Sequence, residues 1–342
     1  MDDVNEPGER GTAVIFPGMG PTKFADLGRF MLLNPHARRL IAAADARLGY
    51  ALADRFAEAE GDYSEYAQVA FFVVCLALAE WAEDELDLGP IAACAGPSFG
   101  EKPAAVHVGS LSLEDGVWMT ARIARCLEEY FAARHRDVVT HSFVRVPEER
   151  VRELLDEHAA RGGWSDVSCY IDRDLFMVSL READLEWLER AVRSMGGLSL
   201  YTMRPPMHSS AFDGLRRKVG EDVLADLEFS DPLLPLIADQ DGSVVKDGTG
   251  VRTMLLDSFV RPLRWPDVVA GLRGLGVERI CVAGPDSLFG RVGCTTSAFE
   301  VVSATPRLAL QPRRGGSVPG VQPGANGASR PRSPFLGGSW LT

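Results

Sequence analysis

One stretch constrains this chain more than any other: Ile91 to Val106, IAACAGPSFGEKPAAV. Small apolar residues of strand character run into Gly96, Pro97, Ser98, Phe99 and Gly100, and helix formers follow at once. A serine between two glycines at a strand-to-helix turn projects its hydroxyl from the strand end beside a helix N-terminus, the geometry of a nucleophile elbow. The G-x-S-x-G pattern alone is a weak signal. With 34 glycines in 342 residues, roughly 0.2 occurrences arise by chance, and a plain strand-to-helix turn is the alternative reading.

The surrounding text supplies a frame for such a turn. TAVIFPGMG is a β-branched run stopped by Pro17 and Gly18, which reads as a buried strand ending in a glycine loop. FADLGRFMLLNPHARRLIAAADARLG and YAQVAFFVVCLALAEWAEDEL carry apolar residues at helical spacing. Between about Val138 and Pro205 the order is strand (VVTHSFVRV), helix (PEERVRELLDEHAARG), two strands (VSCYI, LFMVSL), helix (READLEWLERAVRSMGG) and strand (LSLYTM). That β-α-β-β-α-β order predicts a split-βαβ, ferredoxin-like subdomain inserted in a larger α/β body. The chain then returns to strand-like PLLPLIADQ, a helix around Val251 to Phe259, and the strand ERICVAGP. Two lobes follow, with the cleft between them. The expected division is a disordered N-terminus over 1–11, a large α/β-hydrolase-like subdomain over 12–137 and 206–304, the ferredoxin-like subdomain over 138–205, and a disordered tail over 305–342. The tail is assigned on its density of Pro, Gly, Ser and Arg, which cannot bury enough apolar surface to offset ordering entropy.

Composition narrows the partners. Hydrophobic residues make up 46% and charged residues 25%, with a net charge of −12, so a substantial core is expected and a nucleic-acid binder, which needs a basic face, is not. The six cysteines, Cys75, Cys94, Cys126, Cys169, Cys281 and Cys294, are scattered without a C-x-x-C pair. That spread fits a reducing cytoplasm and offers neither a disulfide framework nor a metal site. The polar, acidic start lacks a secretory signal pattern, and the apolar run Val69 to Ala79 reads as too short to span a bilayer. A monomer is the expected assembly.

A nucleophilic serine needs a base, so the histidines decide its reading. His36, His107, His135, His141 and His158 read as surface or structurally satisfied residues. His208 differs: in YTMRPPMHSSAFDGL it follows two prolines that fix the backbone, at the exit of the inserted lobe.

From about Thr12 to Val292 the chain resembles malonyl-CoA:acyl-carrier-protein transacylase-type acyltransferases of fatty-acid and polyketide synthesis. FPGMG resembles that family's F-P-G-Q-G, GPSFGE its G-H-S-L-G-E, PPMHSS the segment with its histidine, SFVRPLRWPDVV the segment ending in P-V-R-W, and CVAGP its E-V-G-P. The resemblance implies Ser98 as nucleophile and His208 as base, with backbone N–H groups of Phe99 and Met19 holding the oxyanion and a backbone carbonyl near Ser258 orienting the imidazole. Gln68 matches a family glutamine near the serine. No bound cofactor or metal is implied. Substrates would arrive on the phosphopantetheine of donor and acceptor acyl carrier proteins.

The departures bear on the cargo. Malonyl and methylmalonyl carriers clamp the free carboxylate with an arginine twenty-five residues after the serine; here that position is Ile123, with Arg122 adjacent but about 100° away on a helix. Isoleucine cannot pair a carboxylate, and burying one unpaired costs several kcal/mol. PPMH matches neither H-A-F-H nor Y-A-S-H, so Pro206 and Met207 would line the pocket with apolar surface. Pro97 and Met19 replace a histidine and a glutamine. The chain therefore resembles the stand-alone acyltransferases of polyketide pathways that move an aminoacyl or dipeptidyl starter between carrier proteins, as in macrolactam biosynthesis of the vicenistatin type. Arg145, Arg204 and Arg291 are candidate contacts for an acidic carrier protein. The alternatives are a thioester hydrolase of the same fold, a malonyl transacylase, and an idle carrier-protein binding module, against which the joint presence of Ser98 and His208 counts.

Overall fold

A computed structural model describes residues 11–286 and 288–311. Its larger sheet has six strands in the order β11-β10-β1-β2-β7-β8: β1 (Gly11–Ile15), β2 (Ile91–Ala95), β7 (Leu236–Ile237), β8 (Val244–Val245), β10 (Val277–Ala283) and β11 (Glu300–Ala304). All neighbours run parallel except β7 and β8. A parallel sheet requires cover on both faces, and the strand residues divide accordingly. Val14, Cys94 and Cys281 point into a core shared with the helix Glu65–Glu85. Ala13, Ile15, Ala93, Ala95 and Ile280 point the other way, against the helix Trp265–Gly274 and the second sheet.

That second sheet is ferredoxin-like. Its strands β3 (Val138–Val144), β4 (Ser165–Asp172), β5 (Leu175–Arg181) and β6 (Leu198–Met203) lie in the order β6-β3-β5-β4, all antiparallel, so β5 sits between the ends of the first β-α-β unit. Alternation again sorts the side chains. Phe176 and Val178 pack under the helices Glu148–Ala160 and Leu185–Ser194, whereas Leu175 and Met177 face the large subdomain.

Several expectations change. The sheet has a fifth strand, β9 (Leu263–Arg264), parallel to β4, so the region 206–304 contributes to the smaller sheet as well as the larger one. Gly11 already belongs to β1, and Thr305 caps a short helix, Pro306–Ala309, by accepting from Leu308 N–H at 3.2 Å. Order therefore extends past both expected boundaries; residues 1–10 and 312–342 lie outside the described residues. The first helical segment is broken at Asn34, whose side chain accepts from the N–H groups of His36 and Ala37 and starts a new helix at Pro35. The apolar run read as too short for a bilayer belongs to the 21-residue helix Glu65–Glu85. That helix is long and apolar enough to cross a membrane by length and composition, and 83% of its most apolar window is buried inside the protein.

Candidate active site

Strand β2 ends at Ala95, and Gly96 and Pro97 lead into a single 3-10 turn, Ser98–Gly100, continued by the helix Glu101–His107. Only glycine fits on either side of the serine. A Cβ on Gly96 would lie 2.0 Å from the Gly100 carbonyl oxygen, and one on Gly100 would lie 1.9 Å from that of Phe16. The turn closes against the end of β1, and the closure forces Ser98 to a φ of 55°. A non-glycine residue in that region costs on the order of 1–3 kcal/mol and persists only where its surroundings over-determine it. Here they do so through Asp239, buried just after β7, whose Oδ2 accepts from the Ser98 N–H at 2.5 Å.

His208 reaches the serine from a different part of the chain. Its segment leaves β6 through a cis Arg204–Pro205 bond, and His208 has a φ of 61°. It is held in place by its neighbour: Ser209 N–H donates to the Phe259 carbonyl at 3.2 Å, and Ser209 Oγ donates to Asp166. His208 Nε2 lies 2.8 Å from Ser98 Oγ. Burial pushes the imidazole down to about 4, against the opposing pull of the Arg261 and Ser258 backbone carbonyls. The expected single carbonyl near Ser258 is thus joined by a second, and Nδ1 makes no hydrogen bond of full geometry with either. An uncharged imidazole facing a serine hydroxyl can accept its proton.

Two cavities meet at Ser98. The larger, about 450 Å³, lies between the subdomains and is lined by Met177, Met203, Met207, Tyr201, Phe289 and His208 among others. The smaller, about 70 Å³, is enclosed by Gln68, Phe99, Ile123, Leu127 and Lys102. Met19, Ser98, Met203 and Met207 border both. Met19 borders both cavities, and Phe99 borders the smaller one. Gln68 lines the small cavity and donates to the Tyr63 carbonyl at 3.0 Å. Ile123 is buried there, and Arg122 borders neither cavity. Pro206, expected as a pocket residue, also borders neither; Pro205 does.

The remaining histidines are engaged elsewhere. His36 Nδ1 lies 3.2 Å from Glu80, His141 Nδ1 2.8 Å from Thr202, and His158 Nδ1 3.1 Å from Ser165 with its ring stacked on Trp187. His135 lies 3.4 Å from the Tyr130 hydroxyl, and His107 is buried against Phe16, 3.6 Å from Glu83. Arg145, Arg204 and Arg291 are all exposed. Arg204 is already occupied, by Glu182 and by the Arg136 carbonyl at 3.2 Å.

Three site residues were not anticipated. Glu101, one residue past the turn, is buried with Gln240 Nε2 donating to it at 2.8 Å. Its carboxyl lies beside that of Asp239, and both are buried. Burial is the main cause that raises both: Asp239 goes up to about 6, held there against the Ser98 N–H and Glu101 hydrogen bonds, and Glu101 goes well above the usual carboxylate range. Lys102 is the third. It is 9% exposed, its Nζ sits 4.1 Å from the centre of the Phe99 ring, and burial pushes it down to about 7 while Glu101 pulls the other way. The signal for these residues was faint: an Glu-Lys pair inside an otherwise apolar helix start, and an acid closing the strand-like PLLPLIADQ.

Comparisons with known proteins agree with this architecture. A family model described as the VinK acyltransferase small domain matches residues 142–203. The chain is 29% identical over 329 residues to the polyketide biosynthesis protein ThaF of Burkholderia thailandensis, covering 93% of this chain and 26% of that protein, so it spans about a quarter of that relative's length. It is 23% identical to the malonyl CoA-acyl carrier protein transacylase of Salmonella typhimurium, over 86% of this chain and 94% of that enzyme. Among solved structures, FabD from Acinetobacter baumannii matches with a TM-score of 0.77 at 21% identity, covering 88% of this chain and 96% of the other. A malonyl-transacylase solved in complex with its type II PKS acyl-carrier protein matches with a TM-score of 0.75 at 20% identity, covering 86% and 95%. The chain has the FabD-type α/β acyltransferase fold, with a small ferredoxin-like subdomain.

Proposed function

We propose that this chain is an acyltransferase that moves a non-malonyl acyl group, an aminoacyl or dipeptidyl starter, between acyl carrier proteins in polyketide biosynthesis, through an ester on Ser98. The observation that carries the reading is the 2.8 Å approach of His208 Nε2 to Ser98 Oγ where the two cavities meet. His208 takes the hydroxyl proton as Oγ adds to the thioester carbonyl, and the oxyanion forms against the N–H groups of Phe99 and Met19. Collapse breaks the carbon–sulfur bond, and His208 returns the proton to the departing thiol. The thiol of a second phosphopantetheine arm then attacks the ester by the same steps in reverse. As imidazolium, His208 is favoured by the Arg261 and Ser258 carbonyls, which do the work of the acid in a triad.

The cargo reading rests on the wall of the small cavity. Ile123 stands where a carboxylate-clamping arginine would, and Arg122 does not border the cavity. The likeness to the VinK small domain and to ThaF supports a polyketide setting. The likeness to malonyl transacylases makes malonate the rival cargo. For docking an acidic carrier protein, Arg145 and Arg291 are exposed and form no ion pair among the described residues, which favours them over Arg204.

The test is to incubate the protein with carrier proteins loaded with aminoacyl, dipeptidyl, alkyl and malonyl groups and read the added mass at Ser98, with Ser98→Ala as control. Aminoacyl or dipeptidyl mass on Ser98, passed on to a second carrier protein, is the expected result. Labelling by malonyl thioester alone overturns the cargo, and release of free acid without an acceptor carrier turns the transferase into a hydrolase.

A further inference from the structure

Lys102 is the one cationic side chain among the described residues that line the small cavity, and the transfer chemistry does not use it. Ser98 and Lys102 are four residues apart across the 3-10 turn and the first turn of the following helix, and both border the 70 Å³ cavity. Ile123 and Gln68 line the same cavity. Lys102 is more than nine-tenths buried, yet among the described residues its Nζ forms no hydrogen bond and no ion pair; its contact is the face of Phe99, 4.1 Å away. Burying an ammonium without an acceptor is costly, and a ring face offsets only part of that cost. Such a group persists where something outside the chain completes it. The nearby carboxyls are already taken: Glu101 is bound by Gln240 and faces Asp239, which holds the Ser98 N–H.

We infer that Lys102 is the polar specificity residue of the acyl pocket, donating from Nζ to an acceptor oxygen carried on the acyl chain a few bonds beyond the carbon bound to Ser98. This deepens the acyltransferase reading and rests on it. With roughly five water-sized groups of space, the cavity takes the first carbons of an acyl chain, an amide nitrogen and its carbonyl. An N-acylated aminoacyl unit, as in a dipeptidyl starter, therefore brings its amide oxygen to the ammonium, while the rest of the group turns into the larger cavity. A plain alkyl chain leaves the ammonium unsatisfied. Burial has lowered Lys102 toward neutrality, so an acceptor oxygen also recovers the protonated form, whereas a cationic amine at the same depth repels it.

The experiment compares acylation of Ser98 in single turnover by three carrier-protein thioesters: dipeptidyl, an alkyl acyl group of equal length, and malonyl. Wild type is expected to favour the dipeptidyl over the alkyl group at least tenfold in kcat/KM. Lys102→Met, of similar length and without a donor, should bring that ratio close to one, and Lys102→Gln, which keeps a donor, should recover part of it. Thermal melts accompany both variants, and the glutamine stands in if the methionine variant does not fold. A ratio unchanged in both variants overturns the assignment even while acyl-Ser98 forms. Malonyl transfer by wild type that is lost in Lys102→Met upholds Lys102 as an acceptor-binding residue and overturns the non-malonyl cargo. Failure of every thioester to acylate Ser98 overturns the acyltransferase reading itself.

Discussion

Replacing Asp239 separates two tasks that this carboxyl performs behind the nucleophile. Its Oδ2 accepts from the Ser98 N–H at 2.5 Å, and burial beside Glu101 raises its carboxyl. Asp239→Asn keeps an acceptor for Ser98 and removes the titrating acid. Asp239→Ala removes the acceptor as well. The pH dependence follows from the direction of the shift. Asp239 is raised in the folded protein from 3.8 to about 6, so the native state holds a proton that the unfolded chain releases. Its stabilising share is fully present below about 4 and is lost as pH rises through 6. The shift is about 2 units, and at 1.36 kcal/mol per unit this amounts to roughly 3 kcal/mol. Asparagine does not titrate, so the stability of Asp239→Asn relative to wild type should rise by roughly 2 kcal/mol between pH 4.5 and 7.5, the rest of the wild-type share being lost already below pH 4.5. Urea unfolding at the two pH values measures it, and a difference that stays flat with pH refutes the raised Asp239 carboxyl. Asp239→Ala, which does not titrate either, should show the same rise with pH and carry in addition an offset of about 1–3 kcal/mol at every pH, the cost of the orphaned Ser98 N–H. It should also lose more of the Ser98 acylation rate than the asparagine, because the turn at a φ of 55° loses its brace. Equal rates for the two variants would show that the brace is not needed.

Four further outcomes test the site. Gly100→Ala sets a Cβ 1.9 Å from the Phe16 carbonyl oxygen, so the turn must shift; a melting temperature and an acyl-Ser98 rate both equal to wild type would contradict the packing described. His208→Ala should slow acylation by about 10²–10⁴-fold, and because burial lowers His208 to about 4, the acid limb of kcat/KM should fall near pH 4; a limb near 6.5 places the imidazole in solvent. Ile123→Arg buries a guanidinium at a position 2% exposed and should destabilise by several kcal/mol, read by urea unfolding; wild-type stability would mean that the wall is not apolar. Arg145→Ala and Arg291→Ala should each lower kcat/KM for a carrier protein a few-fold at low salt and converge with wild type at high salt; identical salt profiles move the docking face elsewhere.

What the sequence disclosed about this site follows the range of the forces involved. The Ser98 turn is a local object: strand, two obligatory glycines and a helix start are adjacent in the chain, and backbone sterics alone select them. The ferredoxin-like order was equally legible, because alternation along β5 and the 3.6-residue spacing of its helices are local too. The two-residue strand β9 carries no periodicity, and its pairing with β4 spans about ninety residues, so its place in the smaller sheet could not be read. Pro206 was placed in the pocket, and Pro205 occupies it, because the chain bends directly after β6 ends at Met203, and the facing of residues in such a bend is set by tertiary packing rather than by a period in the sequence. Asp239 and Glu101 show the limit most sharply. Each reads as an ordinary acid beside a helix or strand, and their raised carboxyls arise only because closure of β7 beside β2 buries both against the back of the nucleophile. Lys102 lay within the motif itself and still went unread, since a lysine at a helix start is usually solvated. Its helix differs in being buried at every position from Glu101 to His107. A charge in such a helix has no solvent to point to, and the cavity that Ser98 opens is where it goes.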